Sequence, residues 1–377
     1  MQQPIKVGIL GIKGLPAQAG VDRVVEAIVK RFPALGVSPT VFCDRSFTPE
    51  SYLLNGTTIV RVKSTSGKYL SAPTRFINSA IRALFSGDFD LIHLHNIEAS
   101  FILPLLRLKY PVLSTAHGFA YWRSKWGPVA RKAIRLTDWS FMTFSSAITS
   151  VSEKDAKELS ARYHKKVSYI PNGVGADFKP DKREAGLLLA SLGLSPKSYL
   201  IFVAGRIEPT KGAHLAIEAV NRLESGIPLL VVGDMEQVPL YKKELQKIAG
   251  SRIHFLPPVK KPELLFGLIT EAKCLVFPSL VEAMSMVLLE AASLGCPILA
   301  SDIEENRSIL KEYIEYFKSD DIDSLVDRLK WVVENEAYMA EKGKKAQEYI
   351  RMEYTWDVVA AQYVDIYQKI VKGENML

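Results

Sequence analysis

The chain has 377 residues, of which 48% are hydrophobic and 24% charged, and its net charge is +7 at neutral pH. These values exclude a disordered chain and a fibrous repeat, and the length favours two domains over one core. The charge is uneven, because residues 1–180 contain 24 Lys and Arg against 12 Asp and Glu, which gives the first half a positive field.

Short apolar runs rich in β-branched residues alternate with amphipathic segments along the chain, which is typical of parallel sheets with crossover helices. In the first half, the pattern predicts strands over 6–11, 39–44, 57–62, 91–95, 112–116, 147–151 and 167–170. Predicted helices between them include 21–32, 74–85, 97–109 and 153–162.

The alternation restarts near residue 199. Strands are predicted over 199–204, 229–233, 253–256, 274–277 and 297–300, and helices over 213–223, 240–249, 261–269 and 286–293. The end of the chain is predicted to be helical over 322–334, 338–352 and 356–371, with no further strand. The fold class is therefore α/β, with two doubly wound units.

Turn-forming residues are concentrated between Pro171 and Asp181, which indicates a linker. We predict an N-terminal domain over 1–172, a linker over 173–182 and a C-terminal domain over 183–355. The last segment, 356–377, is predicted to be a helix that crosses back towards the first domain.

The three cysteines, Cys43, Cys274 and Cys296, are far apart and lie in apolar surroundings, which fits a reducing compartment. Neither the pattern of a signal peptide nor an apolar run of about 18–20 residues is present. The sequence therefore predicts a cytoplasmic protein.

Cations and aromatic residues are interleaved between Arg107 and Arg135, a segment that also contains Tyr110, Trp122 and Trp126. This mixture favours contact with lipid headgroups, so the protein is predicted to be peripheral on the inner face of a membrane. A merely solvated basic helix face is the alternative. No nucleic-acid motif accompanies the charge, and no nucleic-acid partner is expected.

A loop with two cations directly follows the predicted strand 199–204. Arg206 and Lys211 lie five positions apart in this loop, at the strand end that opens into the ligand crevice of an α/β sheet. Arginine grips phosphate oxygens in bidentate fashion and lysine adds a mobile charge, so the pair suits a diphosphate. An ordinary charged surface loop is the alternative.

Two glutamates follow the predicted strand 274–277. Glu282 lies before the helix 286–293 and Glu290 lies within it, about two turns later. The first N–H groups of that helix, at Ser285, Met286 and Val287, form an anion site. Sugar or ribose hydroxyls would suit a buried Glu290, whereas a solvent-facing side chain is the alternative.

The order Gly-Arg-x4-Lys-Gly followed by Glu-x7-Glu resembles the retaining family 4 glycosyltransferases of GT-B architecture. Further stretches are similar to that family, namely 11–20, 90–95, 115–118, 168–174 and 231–234. The resemblance implies two Rossmann-like domains facing a cleft, with the acceptor bound by the first and the nucleotide sugar by the second.

The resemblance also implies four catalytic residues. Arg206 and Lys211 would neutralise the donor diphosphate, Glu282 would contact the transferred sugar, and His117 would lie near that sugar. Glu290 would hold the ribose. A core histidine at a strand end is the alternative for His117.

Other donor contacts are implied at Gly14, Gly20, Gly205, Gly233, Asp234, Pro258 and Val259, in addition to Ser285, Met286 and Val287. The first loop departs from the family pattern, because Val21 follows Gly20 where adjacent glycines are common. His93 and His95 alternate with Leu94 on a strand, and we interpret them as structural residues.

The implied reaction moves a sugar from a UDP-, GDP- or dTDP-linked donor to a saccharide or lipid-linked acceptor, with retention of configuration and without a cofactor or metal. A role in cell-surface polysaccharide or glycolipid synthesis is expected. An epimerase or phosphorylase of similar form and a non-catalytic nucleotide-sugar-binding protein are the alternatives. A dinucleotide-dependent oxidoreductase is disfavoured, because Gly8, Gly11 and Gly14 do not form Gly-x-Gly-x-x-Gly.

Overall fold

The structure is a computed structural model that describes residues 3–17, 20–67, 70–118, 128–175, 179–374 and 376, with only the backbone described at residue 86 and over 128–135. The chain divides into two compact units. Unit 1 comprises Met1–Gly173 and Trp356–Leu377, and unit 2 comprises Val174–Thr355.

Unit 1 is built on a parallel sheet of seven strands in the order β3-β2-β1-β4-β5-β6-β7. The strands are β1 (Ile5–Leu10), β2 (Val37–Asp44), β3 (Thr58–Val62), β4 (Leu91–His95), β5 (Val112–Ala116), β6 (Ala147–Ser150) and β7 (Ser168–Tyr169). The helices are α1 (Val21–Val29), α2 (Ser71–Ser86), α3 (Leu103–Leu106), α4 (Pro128–Phe144), α5 (Glu153–Tyr163) and, after unit 2, α14 (Trp356–Val371).

Unit 2 has a parallel sheet of six strands in the order β10-β9-β8-β11-β12-β13. The strands are β8 (Leu200–Arg206), β9 (Leu229–Asp234), β10 (Ile253–Leu256), β11 (Cys274–Phe277), β12 (Ile298–Ser301) and β13 (Glu315–Phe317). The helices are α6 (Lys182–Ser191), α7 (Ala213–Arg222), α8 (Pro239–Ile248), α9 (Pro262–Glu271), α10 (Met286–Ser293), α11 (Glu304–Leu310), α12 (Ile322–Glu334) and α13 (Glu336–Glu353).

Both sheets have the strand order of a doubly wound Rossmann fold, in which the order reverses between the first and fourth strands. The central strands are nearly continuous runs of buried apolar residues, as expected when helices cover both faces of a sheet. The predicted α/β class with two Rossmann-like units is confirmed. In unit 2, the reversal places the loops after β8 and β11 beside each other.

The last helix, α14, returns to unit 1. Its buried side chains include Trp356, Val359 and Tyr367, and Arg31 Nε lies 2.8 Å from Asp357 Oδ1. The predicted final segment therefore groups with the first unit, whereas α12 and α13 belong to unit 2.

Several elements differ from the sequence prediction. The helix predicted over 97–109 is wrong, because this segment forms a 3-10 helix (Ile97–Ile102) followed by α3. Pro104 lies in the first turn of α3, where its missing N–H is tolerated, whereas it would break the interior of one long helix. The helices α4, α6 and α11 and the edge strand β13 were not predicted. Among the described residues, no helix is long and apolar enough to span a bilayer.

Candidate functional site

Two loops meet at the carboxyl ends of β8 and β11, at the reversal point of the unit 2 sheet. The backbone N–H of Leu280 donates to Thr210 O at 2.8 Å, and Ser279 Oγ lies 3.2 Å from the same oxygen. Gly212 has φ of +71°, and a Cβ on it would lie 2.1 Å from Pro278 O. Only glycine permits both this left-handed conformation and this close approach.

An ion pair connects the two loops. Lys211 Nζ donates to Glu282 Oε1 at 2.7 Å, and the side chains are 25% and 10% exposed, respectively. Ser279 Oγ donates to the same Oε1 atom, also at 2.7 Å. The structure thus brings together two residues to which we assigned separate roles, one at the diphosphate and one at the sugar.

Arg206 ends β8 and is exposed. The strand register with β9 shifts between Ala204 and Arg206, which pairs with Asp234. No atom lies within 4 Å of a Cβ built on Gly205. The guanidinium therefore lies on an open surface beside the loop that carries Lys211, where it can reach an anion.

The end of β9 forms a tight turn. A Cβ on Gly233 would lie 2.0 Å from Ala204 O, so glycine is required at this position. The Asp234 carboxylate accepts from the N–H of Glu236 at 2.8 Å and from Gln237 Nε2 at 2.5 Å, and the Asp234 carbonyl accepts from Ile207 N–H. Asp234 therefore builds the turn, and Pro258 and Val259 follow the neighbouring strand β10.

The helix α10 begins beside the Lys211–Glu282 pair. Ser285 is its N-cap, and Ser285 Oγ accepts from Leu288 N–H at 3.3 Å. The N–H groups of Met286 and Val287 open the helix, where N–H groups have no intrahelical acceptor and anions are favoured. Glu290 is 1% exposed, which excludes a solvent-facing side chain.

Three histidines are stacked in unit 1 at the ends of β4 and β5. The rings of His93 and His95 are 4.0 Å apart, and His95 Nδ1 lies 3.0 Å from His117 Nε2. Burial lowers the pKa of His93 and His95 well below the usual value, and it lowers the pKa of His117 to about 3. All three are neutral at pH 7, so His117 can donate or accept a hydrogen bond but carries no charge.

His93 is a structural residue, as we interpreted it. His93 Nδ1 lies 2.7 Å from the Tyr367 hydroxyl of α14, and His93 Nε2 lies 2.7 Å from Thr115 Oγ1. The two ring nitrogens are therefore used within the core of unit 1.

The first loop of unit 1 uses its backbone N–H groups internally. Lys13 N–H donates to Asp22, Leu15 N–H to Thr48, and Ala17 N–H to Glu26, at 2.8–2.9 Å. A Cβ on Gly14 would lie 2.4 Å from Thr48 Oγ1, so Gly14 packs against the protein itself.

Gly20 is different. It precedes α1 with φ of +58°, and no atom lies within 4 Å of a Cβ built on it. Gly20 is therefore the more accessible of the two predicted glycine contacts.

Residues 119–127 of the segment between Arg107 and Arg135, which include Trp122 and Trp126, lie outside the described residues, and only the backbone is described over 128–135. Within the described part, Lys109 Nζ donates to the carbonyls of Leu84 and Gly87 at 3.0 Å. This lysine therefore stabilises the end of α2 as well as adding charge.

Two family models match the chain. The model for glycosyl transferases group 1 matches residues 188–351, and the model for glycosyltransferase family 4 matches residues 19–178. The first of these matches spans Arg206, Lys211, Glu282 and Glu290. The chain belongs to the group 1, family 4 glycosyltransferases.

Similar proteins support the assignment of this glycosyltransferase. An Escherichia coli UDP-Gal:alpha-D-GlcNAc-diphosphoundecaprenol alpha-1,3-galactosyltransferase is 26% identical, covering 86% of this chain and 87% of that protein. Sucrose-phosphate synthase from Thermosynechococcus elongatus has a TM-score of 0.84 at 17% identity, over 98% of this chain and 100% of that one. HepE from Anabaena, solved with UDP and glucose, has a TM-score of 0.78 at 18% identity, over 97% and 100% of the two chains.

Sequence reasoning on this glycosyltransferase missed Ser279 and Thr210. Both lie in the predicted loops, but a serine after a strand is too common to be distinctive. The available signal was its position three residues before Glu282, at the end of a buried strand.

Proposed function

We propose that this glycosyltransferase transfers a sugar, with retention of configuration, from a nucleotide-diphosphate donor to a lipid-linked or saccharide acceptor of cell-surface polysaccharide or glycolipid synthesis. The observation that carries the proposal is the meeting of Lys211, Glu282 and the start of α10 at the reversal point of the unit 2 sheet. Cations and helix N–H groups bind the diphosphate there, and carboxylates bind hydroxyls.

The reaction breaks the bond between the anomeric carbon and the diphosphate and forms a bond from that carbon to the acceptor oxygen. The acceptor proton passes to the departing diphosphate on the same face of the sugar. Arg206, Lys211 and the start of α10 stabilise the charge that develops on the leaving group. One such preorganised donor contributes about 3–4 kcal/mol in comparable oxyanion sites.

The other site residues orient the donor. Glu282 accepts from hydroxyls of the transferred sugar, and the buried Glu290 accepts from the ribose. Neutral His117 exchanges a hydrogen bond with the sugar. The base lies against the backbone near Gly233 and Asp234.

UDP sugars are the first donors to test, because the Escherichia coli relative is named for a UDP-Gal donor and a diphosphoundecaprenol acceptor. The experiment combines a panel of UDP, GDP and dTDP sugars with diphosphoundecaprenol-linked saccharides, and the anomeric configuration of the product is read by NMR. We expect transfer with retention. An inverted product contradicts the mechanism, and conversion of donor without acceptor supports an epimerase or phosphorylase instead.

The proposed mechanism uses no metal. Among the described residues, no group of three or more His, Cys, Asp or Glu side chains is arranged to hold a metal ion. We expect EDTA to leave the transfer rate unchanged. A loss of activity that Mg²⁺ or Mn²⁺ restores contradicts this part of the proposal.

A membrane contact is also part of the proposal, and exposed apolar side chains on unit 1 support it. On α2, Ile77, Ile81 and Phe85 follow one another at a spacing of four, and Phe85 is 86% exposed. Leu108, after α3, is 80% exposed. The inner faces of α2 and α3 pack into one core cluster, which places the two helices near each other.

Charge complementarity favours an anionic bilayer as the partner, since Arg82 and Arg107 are exposed beside these apolar residues and cations favour anionic lipid surfaces. We expect sedimentation with phosphatidylglycerol-containing vesicles, and weaker binding at high salt. The double variant F85S/L108S should lose binding, whereas L240S, which changes an 83% exposed leucine of unit 2, should retain it. Equal binding of the two variants contradicts the proposal.

A further inference from the structure

A chain of hydrogen bonds runs from α11 to Glu282 beneath the candidate site. Asn306 Nδ2 donates to Ser301 O at 3.0 Å and lies 3.1 Å from Ser301 Oγ. Ser301 Oγ donates to Ser279 O at 2.5 Å, and Ser279 Oγ donates to Glu282 Oε1 at 2.7 Å. The side chain of Glu282 is thus connected to the ends of β11 and β12.

This chain is shielded from solvent. Ser279, Ser301 and Asn306 are each 0% exposed, and the Glu282 side chain is 10% exposed. Hydrogen bonds are electrostatically stronger in such an environment, and a buried polar group that loses its partner is destabilised. The backbone of Ser279 is therefore held in place, which fixes the position from which its hydroxyl donates to Glu282.

The two donors to Glu282 reach the same oxygen. Lys211 Nζ and Ser279 Oγ each lie 2.7 Å from Oε1. Among the described residues, no protein donor is recorded at Oε2. A carboxylate held in this way presents Oε2 to a ligand hydroxyl.

A bound diphosphate affects the two hydrogen-bond donors to Glu282 differently. In the proposed function, on which this inference rests, Lys211 binds the donor diphosphate, which weakens its contact with Glu282. Ser279 carries no charge and its backbone is anchored from below, so its hydroxyl stays on Oε1. A bond to an ionised acceptor is stronger than one between neutral groups, which makes the serine sufficient to keep the carboxylate oriented.

We propose that Ser279 is a positioning residue, which holds Glu282 on the sugar hydroxyls while Lys211 moves to the diphosphate. Ser301 and Asn306 fix Ser279 from beneath. The serine acts through Glu282 and does not itself contact the donor. Its removal should therefore affect recognition of the sugar and leave recognition of the nucleotide diphosphate intact.

The test compares S279A, E282A and the double variant in the full-length protein. For S279A we expect kcat/KM for the nucleotide sugar to fall about tenfold, which corresponds to about 1.4 kcal/mol. UDP alone should bind with a Kd within twofold of wild type. In the E282A background, S279A should add no further loss, because residues that act through one another are non-additive.

Two further variants separate positioning from folding. S279T keeps the hydroxyl and should restore most of the lost kcat/KM. S145A removes the hydroxyl of a serine that is 3% exposed in unit 1, whose Oγ lies 2.6 Å from Phe141 O and 2.7 Å from Ser114 Oγ. We expect it to change Tm by about as much as S279A does, with kcat/KM unchanged.

Several outcomes overturn the positioning role alone. The first is wild-type kinetics in S279A, and the second is a loss of kcat/KM on adding S279A to E282A that equals its loss in the wild-type protein. The others are loss of UDP binding by S279A and no rescue by S279T. Failure of the wild-type protein to transfer sugar from any donor overturns the proposed function, and this result is distinct from all of those above.

Discussion

Lys211 and Glu282 are 71 positions apart in the chain, yet they form a 2.7 Å ion pair. We expect K211A to lower kcat by about 100- to 1,000-fold, since it removes a cation that stabilises the leaving group. R206K should retain part of the activity, because the charge remains while the bidentate grip is lost. Steady-state kinetics on the identified donor check both results. Wild-type rates in K211A contradict the assignment.

The histidine stack predicts how stability changes with pH. The pKa values of His93, His95 and His117 are lowered in the folded state, whereas the unfolded chain titrates near pH 6.5. Below pH 6.5 the unfolded state binds protons that the folded state does not bind, so the free energy of unfolding falls as pH falls. His93 and His95, which are both 0% exposed, each contribute a loss of up to about 1.4 kcal/mol per pH unit.

Urea unfolding at pH 7.5 and 5.5 measures this loss, and histidine NMR signals report its origin. We expect the ring signals of His93 and His95 to remain those of neutral imidazole down to pH 5. The exposed His164 supplies a reference signal in the same spectrum. Protonation of the stacked rings near pH 6.5 in the folded state would exclude this explanation.

At the scale of elements, Gly212 allows the loop after β8 to pack closely against the loop after β11. G212A forces a left-handed conformation on alanine and places its Cβ 2.1 Å from Pro278 O. We expect a loss of about 2–3 kcal/mol in unfolding free energy and weaker UDP binding, because both loops must shift.

The matched control is G226A. Gly226 has φ of +72°, but no atom lies within 4 Å of a Cβ built on it. It therefore shares the backbone strain without the collision. We expect G226A to lower the unfolding free energy by about 1 kcal/mol and to bind UDP normally. Equal behaviour of the two variants would show that the contact with Pro278 does not matter.

The central strands could be predicted from the sequence, because buried parallel strands are continuous apolar runs with distinct ends. Three of them, β4, β5 and β11, have the predicted bounds, and so has the edge strand β10. The edge strand β13 contains Glu315 and Tyr316, both half-buried, so it lacks such a run. Its place is set by pairing with β12, which depends on tertiary contacts.

In the candidate site, too, some features could be predicted from the sequence and others depend on tertiary contacts. Arg206, Lys211, Glu282 and Glu290 could be found because cations and carboxylates near strand ends are distinctive in composition. The hydrogen bonds of Ser279 could not be predicted, since they depend on the approach of β11 to β12 and α11. The roles assigned to the site residues stay predictions.

At the scale of the whole molecule, two units with separate cores share one chain, and the proposed contacts of the nucleotide diphosphate lie in unit 2. A ligand that binds only the folded state stabilises it by about 2.7 kcal/mol at a concentration 100 times its Kd. For a unit of this size, in which each kcal/mol shifts Tm by about 2–4 °C, that corresponds to a rise of about 5–11 °C. UDP should therefore raise the unfolding transition of unit 2.

Calorimetry and hydrogen exchange check this together. With UDP bound, we expect slower amide exchange in residues 205–212 and 278–290, and a smaller change or none in the strands of unit 1. K211A should weaken both effects at the same UDP concentration, since it removes a cation from the binding site. Protection confined to unit 1 would contradict the placement of the donor, whichever sugar the enzyme transfers.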